Sequence, residues 1–154
     1  MPTLACPDLG QIDFLEADIL NFAEGLPAFE ALRRFLLVRK EEFEPFVFLV
    51  SVDSPAIRFI CIPICLLDPE YRFELAQEEG AAAGLKEGVY SASSDDPLVL
   101  AIVTLPVSAP ATVNLASPLV VNAGLHLGVQ LILSATAHSH VTPLRPWATV
   151  EETC

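Results

Sequence analysis

Two pairs of side chains in this sequence have a spacing that could hold a metal ion. Cys61-Ile62-Pro63-Ile64-Cys65 is a C-x3-C, and His138-Ser139-His140 puts two imidazoles on one side of an extended strand. A structural zinc site needs four nitrogen or sulfur ligands, and no second Cys/His pair flanks the cysteines at a suitable distance. Buried free thiols in an apolar strand account for that pair more simply. The histidines have no carboxylate between Asp96 and Glu151 to complete a site, and an exposed strand end explains them. A small metal-dependent hydrolase using His138, His140 and the acidic loops stays open as an alternative, and it should respond to a chelator.

Other catalytic patterns are weaker still. Ser51 and Asp53 share a segment, but nothing there matches a G-x-S-x-G elbow. Asp68 with Glu70, and Asp95 with Asp96, are carboxylates close together in solvated loops, where such pairs carry charge and no acid–base division of labour. Asp68-Pro69 and Asp95-Asp96-Pro97 read as turns. Gly80, Gly84 and Gly88 are evenly spaced, yet no lysine and no strand–helix pair accompanies them, so no phosphate-cradling loop is expected. The residues alone point to a domain without catalysis and without a cofactor.

Charge narrows the partner. Twenty acidic and eight basic residues give a net charge of −12 over 154 residues. Phosphate backbones are bound by releasing counterions to Lys and Arg, so direct nucleic-acid binding is disfavoured. A basic protein is what such a surface can steer in. The opening residues Met1 to Gly10 show no basic segment followed by an apolar one, and reduced thiols in the cytoplasm are expected. The stretch 97–133 carries no Asp, Glu, Lys or Arg, but Pro106, Pro110 and Pro118 cut it short of the ~20 apolar residues of a membrane span. Eighteen of the twenty acids precede Pro97. That placement predicts acidic N-terminal strands and loops around an uncharged core drawn largely from the second half.

Length and patterning predict one all-β, mainly antiparallel domain, a small barrel or sandwich with one or two short helices. Residues 35–38, 45–50 and 57–62 are short apolar runs bounded by charges or proline, and 71–75 alternates with the period of a half-buried strand. Residues 98–105, 112–115, 119–121 and 127–133 supply further strands rich in Val, Ile and Leu. The runs 98–105 and 127–133 should be central, because uncharged β-branched segments suit burial on both faces. Residues 77–85, with acids first and Gly84 near the end, predict a short helix.

Several motifs in order resemble FliW, the bacterial flagellar assembly factor, from Gly10 to Leu133. Gly10-Gln11-Ile12 comes first. Asn21-Phe22-Ala23-Glu24-Gly25-Leu26-Pro27-Ala28-Phe29-Glu30 is similar to the family's F-P-x-G-L-P-G-F-E, and Arg34-Phe35 follows. Ser51-Val52-Asp53-Ser54-Pro55 with Phe59 resembles Q-S-x-D-x-P-x-x-x-F, and Pro63 with Asp68-Pro69-Glu70-Tyr71 resembles P-x-x-x-x-P-D-Y. Ile102-Val103-Thr104-Leu105-Pro106 is similar to I-V-T-V-P. The most specific block is 112–122 (TVNLASPLVVN), followed by Gly128-Val129-Gln130-Leu131-Ile132-Leu133. Ala23 and Ala28 depart from the pattern, standing where the family has Pro and Gly. An alanine at 28 requires a negative φ if it is to be unstrained.

The resemblance implies a FliW-like β-barrel domain over residues 1–140 and a C-terminal tail over 141–154. It also implies two protein partners, the translational regulator CsrA and flagellin, and no enzyme activity. Bound to CsrA, such a protein relieves repression of flagellin mRNA, and accumulating flagellin captures it and frees the repressor. The partner-binding candidates are Phe22, Leu26, Pro27, Phe29, Asp53, Asp68, Glu70, Tyr71, Asn114, Pro118 and Asn122. Asn114 has two readings: an amide that bonds turning backbone ahead of Pro118, or a side chain presented to a partner. A FliW-like structural protein that has lost CsrA binding is a further alternative.

Overall fold

Strands dominate because the sequence is cut into short β-branched and aromatic runs by prolines and charges. A computed structural model describes residues 2–93, 96–133 and 142–144. In chain order the strands are β1 (Thr3–Cys6), β2 (Gly10–Asp13), β3 (Leu20–Asn21), β4 (Arg34–Arg39), β5 (Val47–Ser51), β6 (Arg58–Pro63) and β7 (Arg72–Leu75). They continue with β8 (Gly88–Ser91), β9 (Leu98–Thr104), β10 (Thr112–Val113), β11 (Leu119–Asn122), β12 (Leu127–Gln130) and β13 (Thr142–Pro143). The one α-helix of the described residues, α1, spans Gln77–Gly80, and a 3-10 turn at Ala81–Ala83 continues it.

Seven strands close into a barrel in the order β11-β12-β3-β4-β5-β6-β9, sealed by pairing of β9 with β11. Leu119, Val120 and Val121 lie opposite Leu100, Val99 and Leu98 across the seal. Every described pairing is antiparallel except β12 with β3, which meet at Leu127 and Asn21. Beyond the seal, β9 continues against β10, and β10 pairs with β13. Two hairpins, β1–β2 and β7–β8, stand apart from the barrel sheet.

Side-chain alternation explains how one wall serves two cores. On β4, Phe35 and Leu37 face the cluster that also holds Phe22, Leu49, Leu100 and Leu119. Their neighbours Leu36 and Val38 face the other way, under the β1–β2 hairpin with Leu4, Leu9 and Phe14. A third cluster joins Val99, Ala101, Val120 and Val129 of the barrel to Tyr71, Phe73 and Leu75 of the β7–β8 unit. Strands covered on both faces read as continuous apolar runs, and all five residues of β5 are buried. Both segments expected to be central are in the wall, although β12 stops at Gln130 and Ile132 is exposed.

One expectation needs correcting. The core is not drawn mainly from the second half: Leu20, Phe22, Leu26, Phe35 and Leu49 contribute as much of the barrel interior as Leu100, Leu119 and Val121. The β1–β2 hairpin and β8 did not stand out in the sequence, because neither is a β-branched run and both are short. Thr142 and Pro143 form β13 against β10.

At Gly128 the backbone comes close against an aromatic ring. Phe22 is fully buried, meets Phe35 edge to face at 5.3 Å, and lies over Gly128, where any Cβ would overlap its ring. Gly128→Ala should therefore destabilise the fold by about 1–3 kcal/mol, read as a lower urea midpoint, because overpacking forces the ring or strand to shift. An unchanged midpoint would mean that Phe22 does not pin β12.

Candidate partner-binding surface

The loop between β3 and β4 holds four of the sequence-predicted candidates, and the chain folds it into a narrow turn. Gly25, at φ +65°, donates its N–H to the Phe22 carbonyl at 2.8 Å, and a side chain there would collide with the Glu30 backbone. The Phe29 N–H then bonds the Leu26 carbonyl at 2.7 Å, which leaves Pro27 and Ala28 at the tip. Ala28 has φ +70°, not the negative value an alanine prefers. Proline second and a left-handed residue third is the pattern of a type II turn, so Ala28 accepts the strain that glycine would avoid. Its N–H bonds Glu30 Oε2 at 3.1 Å. Phe22 and Leu26 point into the barrel, Phe29 is half-buried edge-on to Phe59 at 5.5 Å, and Pro27 is exposed.

Asp53 lies across from this loop in an exposed ion pair. Arg34 on β4 donates to it twice, Nη2 to Oδ1 at 2.7 Å and Nε to Oδ2 at 3.3 Å, while Glu16 sits 3.9 Å from the same guanidinium. The hydrogen bond from Arg34, with its charge, holds the Asp53 carboxyl below the usual carboxylate range. Whatever stability this gives is present above the unfolded carboxylate pKa and is lost as pH falls through the depressed folded value. Solvent screening keeps it small. Asp53 is thus already neutralised locally and offers a basic partner less than an unpaired acid does.

The remaining candidates mostly tie the scaffold together. Asp68 Oδ1 accepts the Glu70 N–H at 3.0 Å, closing the turn expected at Asp68-Pro69, and leaves the Glu70 side chain exposed. Tyr71 is buried, donates its hydroxyl to the Leu115 carbonyl, and burial assisted by the Asp68 charge pushes its pKa up to about 12. Asn114 Oδ1 accepts the N–H groups of Ala116 and Ser117, each at 3.1 Å. Pro118 is buried and its carbonyl accepts from Leu131 at 2.9 Å. Asn122, also buried, donates to the Ala83 carbonyl at 2.8 Å and anchors the helical turn to the barrel.

Sequence reasoning missed an apolar groove of about 310 Å³ that four separate segments build together. Leu9, Phe43, Phe48, Ile60, Val103 and Leu105 line it, and Arg58 bonded to Asp8 at 2.9 Å stands at its rim. Phe43 packs edge-on to Phe48 at 5.4 Å yet stays partly exposed, and Leu105 is 61% exposed. Phe43 sits in a 3-10 turn with Glu41 and Glu42, and Glu44 follows; all three acids are exposed. The only sequence sign of this site was the run of acids interrupted by phenylalanine.

The metal readings find no support among the described residues, where no three His, Cys, Asp or Glu side chains converge. His138 and His140 lie outside those residues. Cys61 is fully buried and its thiol is pushed up to about 12, so it is unreactive at neutral pH. Cys6 is likewise a buried free thiol, whereas Cys65 is disulfide-bonded, against the expectation of reduced thiols throughout.

Two bonds from one amide oxygen decide between the readings of Asn114. Asn114→Ala should destabilise the protein by about 1–3 kcal/mol, since two backbone N–H groups lose their acceptor. Urea unfolding measures it; unchanged stability together with lost partner binding would favour a contact role instead.

Comparison with known proteins agrees with this architecture. The family model described as FliW protein matches residues 4–144. The flagellar assembly factor FliW of Carboxydothermus hydrogenoformans is 37% identical over 134 residues, 86% of this chain and 82% of its own. That of Caldanaerobacter subterraneus subsp. tengcongensis is 36% identical over 128 residues, 82% and 81% of the two chains. A crystal structure of the flagellar assembly factor FliW superposes with a TM-score of 0.81 at 29% identity, covering 94% of this chain and 98% of that one. The chain belongs to the FliW family of flagellar assembly factors.

Proposed function

We propose that this chain is a cytoplasmic binding factor that holds CsrA off flagellin mRNA and yields to flagellin as the competing partner. The reading rests on the FliW resemblance, and the observation that carries it is the distribution of charge. No described acidic residue is buried, and Glu41, Glu42 and Glu44 form no ion pair among the described residues. An RNA-binding regulator needs a basic surface, and an acidic partner complements it while having little affinity for the RNA itself.

Flagellin calls for a different contact. Chain ends that are amphipathic and partly disordered need an apolar groove or an open strand edge to fold against. The groove lined by Phe43 and Leu105 provides apolar surface, and Phe43 is flanked in sequence by the exposed Glu41, Glu42 and Glu44. The alternative of a protein that has lost CsrA binding drew on Ala23 and Ala28; of the two, Ala28 keeps the left-handed turn that glycine would supply. No helix among the described residues is long and apolar enough to cross a membrane.

A salt series with both purified partners tests the proposal. Exposed charges are screened beyond a Debye length of about 8 Å at physiological ionic strength, so the CsrA association rate should fall as salt rises. Replacing Glu41, Glu42 and Glu44 together by Gln should slow it further, by about tenfold at low salt. Flagellin affinity should hold or tighten over the same series, and Leu105→Asp should weaken it. Equal salt slopes for the two partners would sink the assignment of charge to CsrA.

A further inference from the structure

One wall of the barrel is incomplete. Strand β4 is paired with β5 over its whole inner edge from Phe35 to Arg39. On its other edge β3 covers only Arg34 and Phe35, opposite Asn21 and Leu20. The cause is local: the segment before β3 is bent into a 3-10 turn at Glu16–Asp18. Asp18 fixes that bend, its carboxylate accepting the Leu15 N–H at 2.8 Å and its own N–H bonding the Leu15 carbonyl at 2.8 Å. The chain therefore leaves the wall, and from Leu36 to Arg39 the edge of β4 away from β5 pairs with no strand among the described residues.

A cavity of about 520 Å³ occupies the vacated place. Its floor is apolar and belongs to the barrel, with Leu20, Leu37, Leu98 and Val121. On the opposite side it is bounded by Gln11, Ile12 and Asp13 of β2, a strand whose only described partner is β1. Unpaired strand edges present rows of N–H and C=O groups that template another strand. Here two such edges border a slot whose floor takes alternate side chains.

We propose that this notch is a β-augmentation site, which takes an extended segment of a partner polypeptide as an added strand along Leu36–Arg39. Main-chain hydrogen bonds to β4 supply the affinity, and every second side chain of the guest, apolar, packs on Leu37, Leu98 and Val121. Charge sets its ends. Asp13 and Asp18 line one part of the slot and Arg39 and Lys40 another, so the guest carries a cationic residue to meet the first pair. The net charge of −12 favours such a guest over an anionic one. The site is distinct from the Phe43–Leu105 groove and does not depend on the CsrA and flagellin reading.

The test uses the full chain and a blocked hexapeptide of one lysine followed by alternating valine and threonine, with an N-methylated version as control. Amide exchange is followed residue by residue. The amides of Leu36–Arg39 that point away from β5 should slow by about tenfold at saturation, because they gain acceptors. The N-methylated peptide, stripped of main-chain donors, should bind at least about tenfold more weakly. No slowing at these amides up to millimolar peptide, or equal binding of the two peptides, overturns the proposal. Protection of the same amides in the protein alone, rising with its concentration alongside a dimer mass in sedimentation, would make the occupant a second copy and also overturn it.

Discussion

Strand β9 is held on both edges and covered on both faces, and the rest of the structure follows from that. Along one edge it pairs with β6; along the other it pairs first with β11, closing the barrel, and then with β10. Leu100 turns inward with Leu49 and Leu119, while Val99, Ala101 and Val103 turn outward beneath Tyr71 and Phe73. A charged side chain on a strand in this position would have neither solvent nor partner. The seven residues of β9 are accordingly uncharged.

Charge is consequently displaced to the elements that cover the barrel. The turns at Glu16–Asp18 and Glu41–Phe43, the Asp68–Glu70 turn and the first residues of α1 carry acids at the surface, because their side chains have water on one side. Arg34 pairs with Asp53 and Glu16 and Arg58 with Asp8, while Glu41, Glu42 and Glu44 form no ion pair among the described residues. The same packing that makes the core dry thus leaves the negative charge on the surface, where it sets the field around the molecule.

Much of this was legible in the sequence. The doubly buried strands announced themselves as apolar runs, and the helical turn at residue 77 by its acids and Gly84. Candidate contacts were harder to read, because a family motif does not say which way a side chain points. Phe22, Tyr71 and Asn122 proved to be interior groups whose bonds and rings lock segments far apart in the chain, while Pro27 and Glu70 face solvent. The groove and the notch beside β4 were invisible for a related reason. Each is lined by residues from several separate segments, and each exists because of where a neighbouring segment stops or bends. No local period encodes that.

In the proposed function, one chain serves two protein partners that exclude one another. Its most direct test is competition: a preformed complex of this protein with CsrA is titrated with flagellin, and the species are resolved by mass in solution. The account predicts stoichiometric release of free CsrA as a complex with flagellin forms. A stable assembly of all three proteins, or CsrA that stays bound at saturating flagellin, would contradict it.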